Sequence, residues 1–465
     1  MARQTTRRQF VKTTAAIGAG FWVAGGVAPR RSLAANEEIR FACIGVGGKG
    51  SEDSSEVGKL GKVVAICDID EEFLNKKGQE FPDAKKYTDF RKMLEEMGDS
   101  IDAVTVSTPD HTHAVAALMA MRMGKHCYCQ KPMTHSIEEA RLMAETAAKS
   151  PGLVTQMGNQ GTALATLRKS AAAIRAGAIG KVTEAHIWTN RPVWPQGIGL
   201  KPKTGAAPSN IHWDLWLGPA AKHDFSNEIH PFKWRGYWAF GTGALGDMAC
   251  HTLNMSYMAL DLNNPVSVKA DALEHDKYVF PGSSVIEYEF AANDWRPALK
   301  MFWYDGGERP LALLKGCPKD DAGKHFTSGA LLIGEKGKFY SPGDYSEMDK
   351  QTGVIHDDKE FVQLLDLGLD LDVPKSPGHY AEFANAIRGD GKPMSNFADY
   401  AGGLTETVLL GNLAVWARGH KVAWDREAMA CKATKVDETC PDCSQDELDQ
   451  IVRHDYRNGF TIHTI

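Results

Sequence analysis

Two side chains in the middle of the chain have the types and the spacing for acid–base chemistry. Asp247 and His251 lie four residues apart, so a helix would carry them on one face. Because an unperturbed imidazole titrates near neutral pH, we predict His251 as a proton acceptor, with Asp247 orienting it or binding a neighbouring hydroxyl. The spacing alone is more typical of a surface pair, but the glycine-rich run at 241–246 would let a ligand approach this helix end closely.

A second glycine-rich run indicates that the chain binds a dinucleotide. Gly45-Val46-Gly47-Gly48-Lys49-Gly50 follows an apolar run at 39–44 and fits the G-x-G-x-x-G turn that brings a pyrophosphate to a helix N-terminus. The next predicted strand ends at Asp68, where a carboxylate can bind the adenosine ribose and repel a 2′-phosphate. We therefore predict NAD rather than NADP. The alternative is that Asp68 caps the helix that follows it.

Strands and helices alternate after this turn, as is needed to position such a site. Strands are predicted at 101–107, 125–129 and 153–157, an amphipathic helix near 89–97, and another helix from about His111. Ser136 and Glu139 have the spacing of a capping box, which marks the start of a further helix. This alternation predicts a parallel, doubly wound sheet with ligands at the carboxyl ends of its strands.

Two of those strand ends carry histidines and cysteines that have the chemistry of soft metal ligands. They are His111, His113, His126, Cys127 and Cys129. The two cysteines alternate on a short, apolar strand, so packing explains them without a metal. We predict no metal site.

The motifs at the same two strand ends resemble those of the Gfo/Idh/MocA oxidoreductases, the relatives of glucose-fructose oxidoreductase and inositol dehydrogenase. Thr108-Pro109-Asp110-His111-Thr112-His113 resembles the family signature after the fourth strand. Gln130-Lys131-Pro132 resembles its Glu-Lys-Pro signature, with Gln130 in place of the usual glutamate. The amide keeps hydrogen bonding but removes a charge that would favour the ammonium form of Lys131.

The resemblance implies roles for specific residues. Lys131, Asp247 and His251 would surround the substrate carbinol beside the nicotinamide as the catalytic residues. The predicted cofactor contacts are Gly45, Gly47, Gly48, Lys49, Gly50, Asp68, Thr108, Pro109, His111, His113, Gln130, Lys131 and Gln160.

The resemblance extends over about residues 39–425 and implies an α/β fold in two domains. An N-terminal Rossmann domain at 37–158 would hold a doubly wound parallel sheet. An α+β domain at 159–425 would hold an open, mostly antiparallel sheet that covers the nicotinamide and forms a homodimer or homotetramer. Strands of this second sheet are predicted at 182–188, 266–270, 285–290, 299–303 and 330–334. Residues 426–465 form a C-terminal extension outside the resemblance.

Aromatic and cationic side chains upstream of Asp247 have the composition of a carbohydrate site. Flat aromatic rings can pack on the C–H faces of a sugar, while arginine and amide groups can bind its hydroxyls. The predicted substrate contacts are Asn190, Arg191, Trp194, Trp234, Arg235 and Tyr237. For each tryptophan, a place in the core or in an interface is the equal alternative.

Residues 1–34 are predicted to form a twin-arginine signal peptide. Arg7 and Arg8 precede an uncharged stretch at 13–29, which is too short and too rich in glycine to favour a permanent membrane anchor. Cleavage after Ala34 would remove six basic and no acidic residues, which moves the formal charge of −6 to −12. We predict a periplasmic protein that is exported folded, with its cofactor, and meets the membrane only in transit.

The whole-chain composition excludes several classes of protein. With 43% apolar residues, 24% charged residues and a net charge of −6, the sequence is typical of a globular protein and excludes a basic nucleic-acid binder. Cys440 and Cys443 have the spacing of a local disulfide or of half a metal site. We interpret them at most as a local disulfide.

These patterns predict an exported NAD-dependent oxidoreductase that moves hydride between nicotinamide and a sugar, polyol or sugar derivative. His251 would take the hydroxyl proton, and Lys131 would stabilise the developing alkoxide or relay its proton. One alternative is an NAD-dependent glycosidase, which oxidises a sugar transiently, eliminates its glycosidic substituent, adds water and reduces the sugar again. The other is a non-catalytic sugar sensor of the same fold, which the presence of Lys131, Asp247 and His251 disfavours.

Overall fold

A computed structural model describes residues 37–463, which build two sheets. The predicted signal peptide at 1–34 lies outside the described residues. Within 37–463, no helix combines the length and the apolar character needed to cross a membrane.

The first sheet is parallel throughout its described strands and confirms the predicted Rossmann topology. Its strand order is β3-β2-β1-β4-β5-β6. In chain order its elements are β1 (Arg40–Ile44), α1 (Gly48–Gly58), β2 (Lys62–Cys67), α2 (Glu71–Glu80), β3 (Lys85–Tyr87), α3 (Phe90–Met97), β4 (Ala103–Val106), α4 (Asp110–Arg122), β5 (His126–Cys129), α5 (Ile137–Ala148) and β6 (Thr155–Met157).

Local side-chain chemistry sets where several of these helices begin. Asp70 accepts a hydrogen bond from the Glu72 amide at the start of α2. Ser136 and Glu139 form the predicted capping box at the start of α5, which satisfies amides that have no partner within the helix. The central strands β4 and β5 are buried along their whole length, as expected for parallel strands covered by helices on both faces.

The second sheet is mostly antiparallel, as predicted. Its order is β14-β13-β12-β11-β7-β10-β9-β8-β15-β16, and among its described strand pairs β7 and β10 run parallel while the others run antiparallel. The elements of this half are α6 (Ala165–Arg175), β7 (Val182–Trp188), α7 (Trp213–Leu217), α8 (Gly243–Thr252), α9 (Asn254–Leu260), β8 (Ser267–Ala272), β9 (Ser284–Phe290), β10 (Leu299–Tyr304), β11 (Gly329–Gly334), β12 (Gly337–Pro342), β13 (Gly353–His356), β14 (Glu360–Gln363), α10 (His379–Ile387), α11 (Gly402–Trp416), β15 (His420–Asp425), β16 (Ala430–Lys435) and α12 (Gln445–Val452).

Helix α11 joins the two halves. It is buried on nearly all sides and packs against α5 of the Rossmann half and against α8 and β8 of the second half. A helix that is apolar all round is stable only when it is enclosed in this way. It therefore fixes α8, which carries Asp247 and His251, relative to the Rossmann sheet.

The C-terminal extension is joined to the second sheet. Strand β16 pairs with β15, with Ala430 opposite Asp425, so the hairpin crosses the predicted boundary at 425. The suggestion of a local disulfide is wrong, because Cys440 and Cys443 are both free thiols. Over the described range, no group of three or more His, Cys, Asp or Glu side chains is arranged to hold a metal ion.

Candidate active site

The carboxyl ends of the Rossmann strands open into a cleft of about 770 Å³. The glycine turn after β1 and Asp68 after β2 line part of it. Lys131, which follows β5, lines it together with Asp247 and His251 from α8. The cleft therefore brings together the predicted cofactor turn and the three predicted catalytic residues.

The glycine turn has the shape that a dinucleotide pyrophosphate requires. Gly45 has a φ of +77°, and a Cβ there would lie 2.6 Å from the Ser107 carbonyl oxygen. A Cβ on Gly50 would lie 2.0 Å from the Gly45 carbonyl oxygen, so only glycine lets α1 pack this closely. Above Gly48, which opens α1 at a φ of +48°, the space is free. The residues present therefore fit a phosphate group at the N-terminus of α1.

Asp68 is held beside this turn by backbone amides. Its Oδ2 accepts hydrogen bonds from the amides of Val46 at 2.8 Å and Gly47 at 3.1 Å. Burial raises the pKa of Asp68, although these donors oppose the shift. Asp70 is the residue that caps α2, so the alternative reading of Asp68 as a helix cap is wrong. Its position after β2 fits the ribose of NAD.

Lys131 and Asp247 form the ion pair that joins the two halves in the cleft. The Lys131 Nζ donates to Asp247 Oδ1 at 2.8 Å and to the Asp247 carbonyl oxygen at 2.7 Å. Arg235 Nε lies 3.2 Å from Oδ1, and Arg191 Nε lies 3.6 Å from Oδ2. Burial disfavours ionisation of Asp247, but Lys131 and Arg235 outweigh it and hold the pKa of this carboxyl well below its usual range.

His251 lies beside this ion pair and is not oriented by it. Its ring packs edge-on against Tyr345, with 4.7 Å between the ring centroids, and its buried Nδ1 has no hydrogen-bond partner among the described residues. Burial, together with the charge of Lys131, lowers the pKa of His251 well below 6.5. The expected titration near neutrality is therefore wrong, and Asp247 does not accept a hydrogen bond from this Nδ1 to orient the ring. The imidazole is neutral and able to accept a proton.

Gln130 lies beside a buried carboxylate that sequence analysis missed. The Gln130 Nε2 donates to both oxygens of Asp53, at 3.1 and 2.9 Å. Asp53 also accepts from Ser107 Oγ and from the Tyr380 hydroxyl, each at 2.7 Å. Asp53 is fully buried, and burial raises its pKa. A glutamate at position 130 would place a second carboxylate against Asp53, which explains the amide.

A second buried ion pair fixes the Rossmann half against the aromatic segment before α8. Asp110, which is wholly buried, accepts two hydrogen bonds from Arg235 Nη1 at 2.9 Å and one from Thr242 Oγ1 at 2.6 Å. The neighbouring His111 contacts the carbonyl oxygens of Trp216 and Phe240 at 2.9 and 3.2 Å. Burial lowers the pKa of His111 to about 4. This strand end therefore positions the second half of the chain.

Most of the predicted cofactor residues line the cleft. These are Gly45, Gly47, Gly48, Lys49, Asp68, Thr108, Pro109, His113, Gln130, Lys131 and Gln160. Gly50 and His111 lie outside the lining: Gly50 lets α1 pack closely, and His111 contacts carbonyl oxygens of the second half. Among the predicted substrate residues, Arg191, Trp194, Trp234 and Arg235 line the cleft. Asn190 and Tyr237 do not.

Several further lining residues carry no sequence signal. They are Phe73, Tyr345 and Phe460, which belong to segments far apart in the chain. Phe73 is the clearest case, because a Cβ on Gly47 would lie 2.5 Å from its ring. An aromatic residue on an ordinary amphipathic helix cannot be recognised from sequence as a cleft residue.

Comparison with known proteins agrees with this geometry. The "Oxidoreductase family, NAD-binding Rossmann fold" model of Gfo/Idh/MocA matches residues 39–157, and the family's C-terminal alpha/beta domain matches 178–294. A glycosyl hydrolase family 109 protein of Saccharopolyspora erythraea is 29% identical over 33% of this chain and 39% of its own length. Levoglucosan dehydrogenase of Pseudarthrobacter phenanthrenivorans is 25% identical over 41% of this chain and 40% of its own length. The chain thus spans well under half the length of these curated relatives.

A solved structure shows the same fold across nearly its full length. The WlbA dehydrogenase from Bordetella pertussis, in complex with NADH and UDP-GlcNAcA, has a TM-score of 0.57 at 18% identity. The match covers 84% of this chain and 99% of that one. This match shows the fold, and the two matched family domains show that the chain belongs to the Gfo/Idh/MocA oxidoreductase family and that its first domain is an NAD-binding Rossmann domain.

Proposed function

We propose that the protein is an NAD-dependent oxidoreductase acting on a carbinol of a sugar, polyol or sugar derivative. The observation that carries this proposal is the meeting of Lys131, Asp247 and His251 in the cleft that the glycine turn also lines. Aromatic side chains beside them, Trp194 and Trp234, suit the C–H faces of a sugar ring. The similarity to levoglucosan dehydrogenase supports the same substrate class.

The bound nicotinamide would supply the hydride acceptor or donor, and the protein would manage the proton and the charge. In the oxidative direction His251, which is neutral, accepts the hydroxyl proton. Lys131, which Asp247 holds in place at 2.8 Å, donates a hydrogen bond to the substrate oxygen. Three cationic side chains surround the single carboxylate of Asp247, and this excess of positive charge stabilises the developing alkoxide.

This proposal can be tested without knowing the substrate. The purified protein would be denatured to identify its bound nucleotide, and native protein would be mixed with a panel of sugars and polyols. We expect NAD, and a change in nicotinamide absorbance with at least one sugar. NADP as the bound nucleotide, or redox inertness toward the whole panel, would contradict it.

A second candidate activity is hydrolysis of a glycoside without net oxidation. The similarity to a family 109 glycosyl hydrolase favours it, and the same residues would serve. Transient oxidation of the sugar would acidify a neighbouring C–H bond, the glycosidic substituent would leave, water would add, and the hydride would return. Release of the glycosidic substituent without accumulation of NADH would identify this activity, and accumulation of NADH would identify the first.

We also propose that the protein is exported folded to the periplasm and assembles as a homodimer or homotetramer. Arg7-Arg8 and the uncharged stretch after them support export, and the open second sheet supports assembly. Changing both arginines to lysine should trap a folded, NAD-loaded precursor in the cytoplasm. Undiminished mature protein in the periplasm would refute the export proposal, and a monomer in sedimentation analysis would refute assembly.

A further inference from the structure

One aromatic residue of the C-terminal extension reaches the cofactor cleft. Phe460 lines the cleft and is 7% exposed. Its ring lies 6.0 Å from that of Phe90, the first residue of α3, and the guanidinium of Arg91 lies 4.2 Å from its centre. Phe460 lies outside both segments matched by the family models, 39–157 and 178–294, so the family match assigns it no role.

The strand order tells which end of the cleft Phe460 closes. Along the carboxyl edge of the Rossmann sheet, β3 lies outermost, followed by β2, β1, β4 and β5. Phe90 follows β3, Asp68 follows β2, and Lys131 follows β5. Phe460 and Phe90 therefore lie beyond Asp68, on the side away from Lys131. Since the acid after the second strand binds the adenosine ribose, this is the adenosine end.

The segment around Phe460 is tied to both halves of the molecule. Asp214 of the second half accepts from Arg457 Nη1 at 2.9 Å and from Asn458 Nδ2 at 2.6 Å. The Asn458 carbonyl oxygen accepts from Arg91 Nη1 of the Rossmann half at 3.2 Å. Ile462 is fully buried, and it anchors the segment beyond Phe460. The segment thus bridges the two halves beside the cleft.

We propose that residues 453–463 complete the adenosine subsite, with Phe460 packing against the adenine and the bridge slowing release of the dinucleotide. A flat adenine suits an aromatic wall, because stacked or edge-on rings gain interaction free energy beyond that of their buried area. The proposal requires the NAD-binding domain and is independent of any sugar chemistry. It assigns a binding role to a segment that would otherwise serve stability alone.

The test compares three ligands on the full-length protein. Phe460→Ala should raise the dissociation rates of NAD and of ADP-ribose by roughly tenfold or more, as expected when a buried aromatic contact is lost. Binding of nicotinamide mononucleotide, which lacks the adenosine, should stay unchanged. Val436→Ala is the matched control, because it removes an aliphatic side chain of the same extension that is 49% exposed and does not line the cleft.

Two results would overturn the proposal. In the first, ADP-ribose dissociates from Phe460→Ala as slowly as from the parent protein. In the second, all three ligands weaken equally, which would mean general loosening. If Phe460→Ala does not fold, Phe460→Leu keeps apolar volume but removes the ring. It should speed release of ADP-ribose by a smaller factor at an unchanged melting temperature, and parental release would refute the role of Phe460.

Discussion

Two buried carboxylates beside the cleft, Asp53 and Asp247, have opposite electrostatics. Asp53 accepts hydrogen bonds from the neutral side chains of Ser107, Gln130 and Tyr380, the Lys49 ammonium lies 3.9 Å away, and burial raises its pKa. Asp247 is surrounded by cations, which outweigh its burial and lower its pKa. The difference shows that burial alone does not set the charge of a carboxylate. The neighbours decide the direction of the pKa shift, because those of Asp53 do not offset its burial whereas the close cations at Asp247 do.

The largest expected effect concerns the cluster around Asp247. His251→Ala and Lys131→Ala should each lower turnover by about 10²–10⁴, the usual contribution of a positioned acid–base group. For His251→Ala, affinity for NAD should change little, because the glycine turn and Asp68 lie in the other domain. Steady-state kinetics on the true substrate and nucleotide titrations measure both quantities.

A double variant sharpens this prediction. Groups that act on one proton transfer behave as a unit. The turnover of the Lys131→Ala, His251→Ala double variant should therefore fall by less than the product of the two single losses. Strict multiplication would show independent roles. Wild-type turnover in His251→Ala would show that Asp247 and His251 are an ordinary pair of residues on one helix face, without a catalytic role.

The second prediction concerns the hydrogen bonds around Asp53. Gln130→Glu places a like charge against a fully buried carboxylate, which should destabilise the fold by roughly 3–5 kcal/mol, the cost of an uncompensated buried charge. A carboxyl whose folded pKa is raised loses stability as the pH rises through that pKa. The loss should therefore grow with rising pH. Denaturant unfolding at several pH values measures it.

The matched control for this variant restores a single carboxylate. Asp53→Asn combined with Gln130→Glu exchanges the positions of the charge and the amide, and it should recover most of the lost stability. If Gln130→Glu is as stable as the parent at every pH, the proposed reason for the amide at position 130 is wrong.

A third carboxylate, Asp68, extends the comparison because backbone amides hold it. Asp68→Ala should weaken NAD binding by about 1.5–3 kcal/mol, the value of a hydrogen bond to a charged group. NADP binding should not weaken comparably, since the lost carboxylate also repelled the 2′-phosphate. Titration with both nucleotides measures the two affinities. Equal losses of affinity for NAD and NADP would show that Asp68 does not bind the ribose.

The smallest expected effect is a shift in the pH dependence of kcat/KM. Because burial and Lys131 lower the pKa of His251, its imidazole stays unprotonated as the pH falls through 6.5. The acidic limb of the kcat/KM profile should therefore lie below pH 6.5. A limb at or above that value would show that another group, or a protonated His251, governs the acidic side.

Much of the Rossmann half could be predicted because its signals are local. The glycine turn, Asp68 and the Ser136 capping box each depend on residues within about 30 positions of one another, and the structure confirms the turn and the cap. The five strands predicted in the second half correspond to β7–β11. Local periodicity and turn chemistry specify such elements without knowledge of the whole fold.

The sequence by itself determined the domain types, the cofactor turn and many of the residues that meet in the cleft. The tertiary structure decided their partners: Lys131 meets Asp247 across 116 residues, and Tyr380 meets Asp53 across 327. It also decided the lowered pKa of His251 and the place of Phe460 in the cleft. These properties depend on burial and on distances between segments remote in the chain, which no local pattern of residue types records.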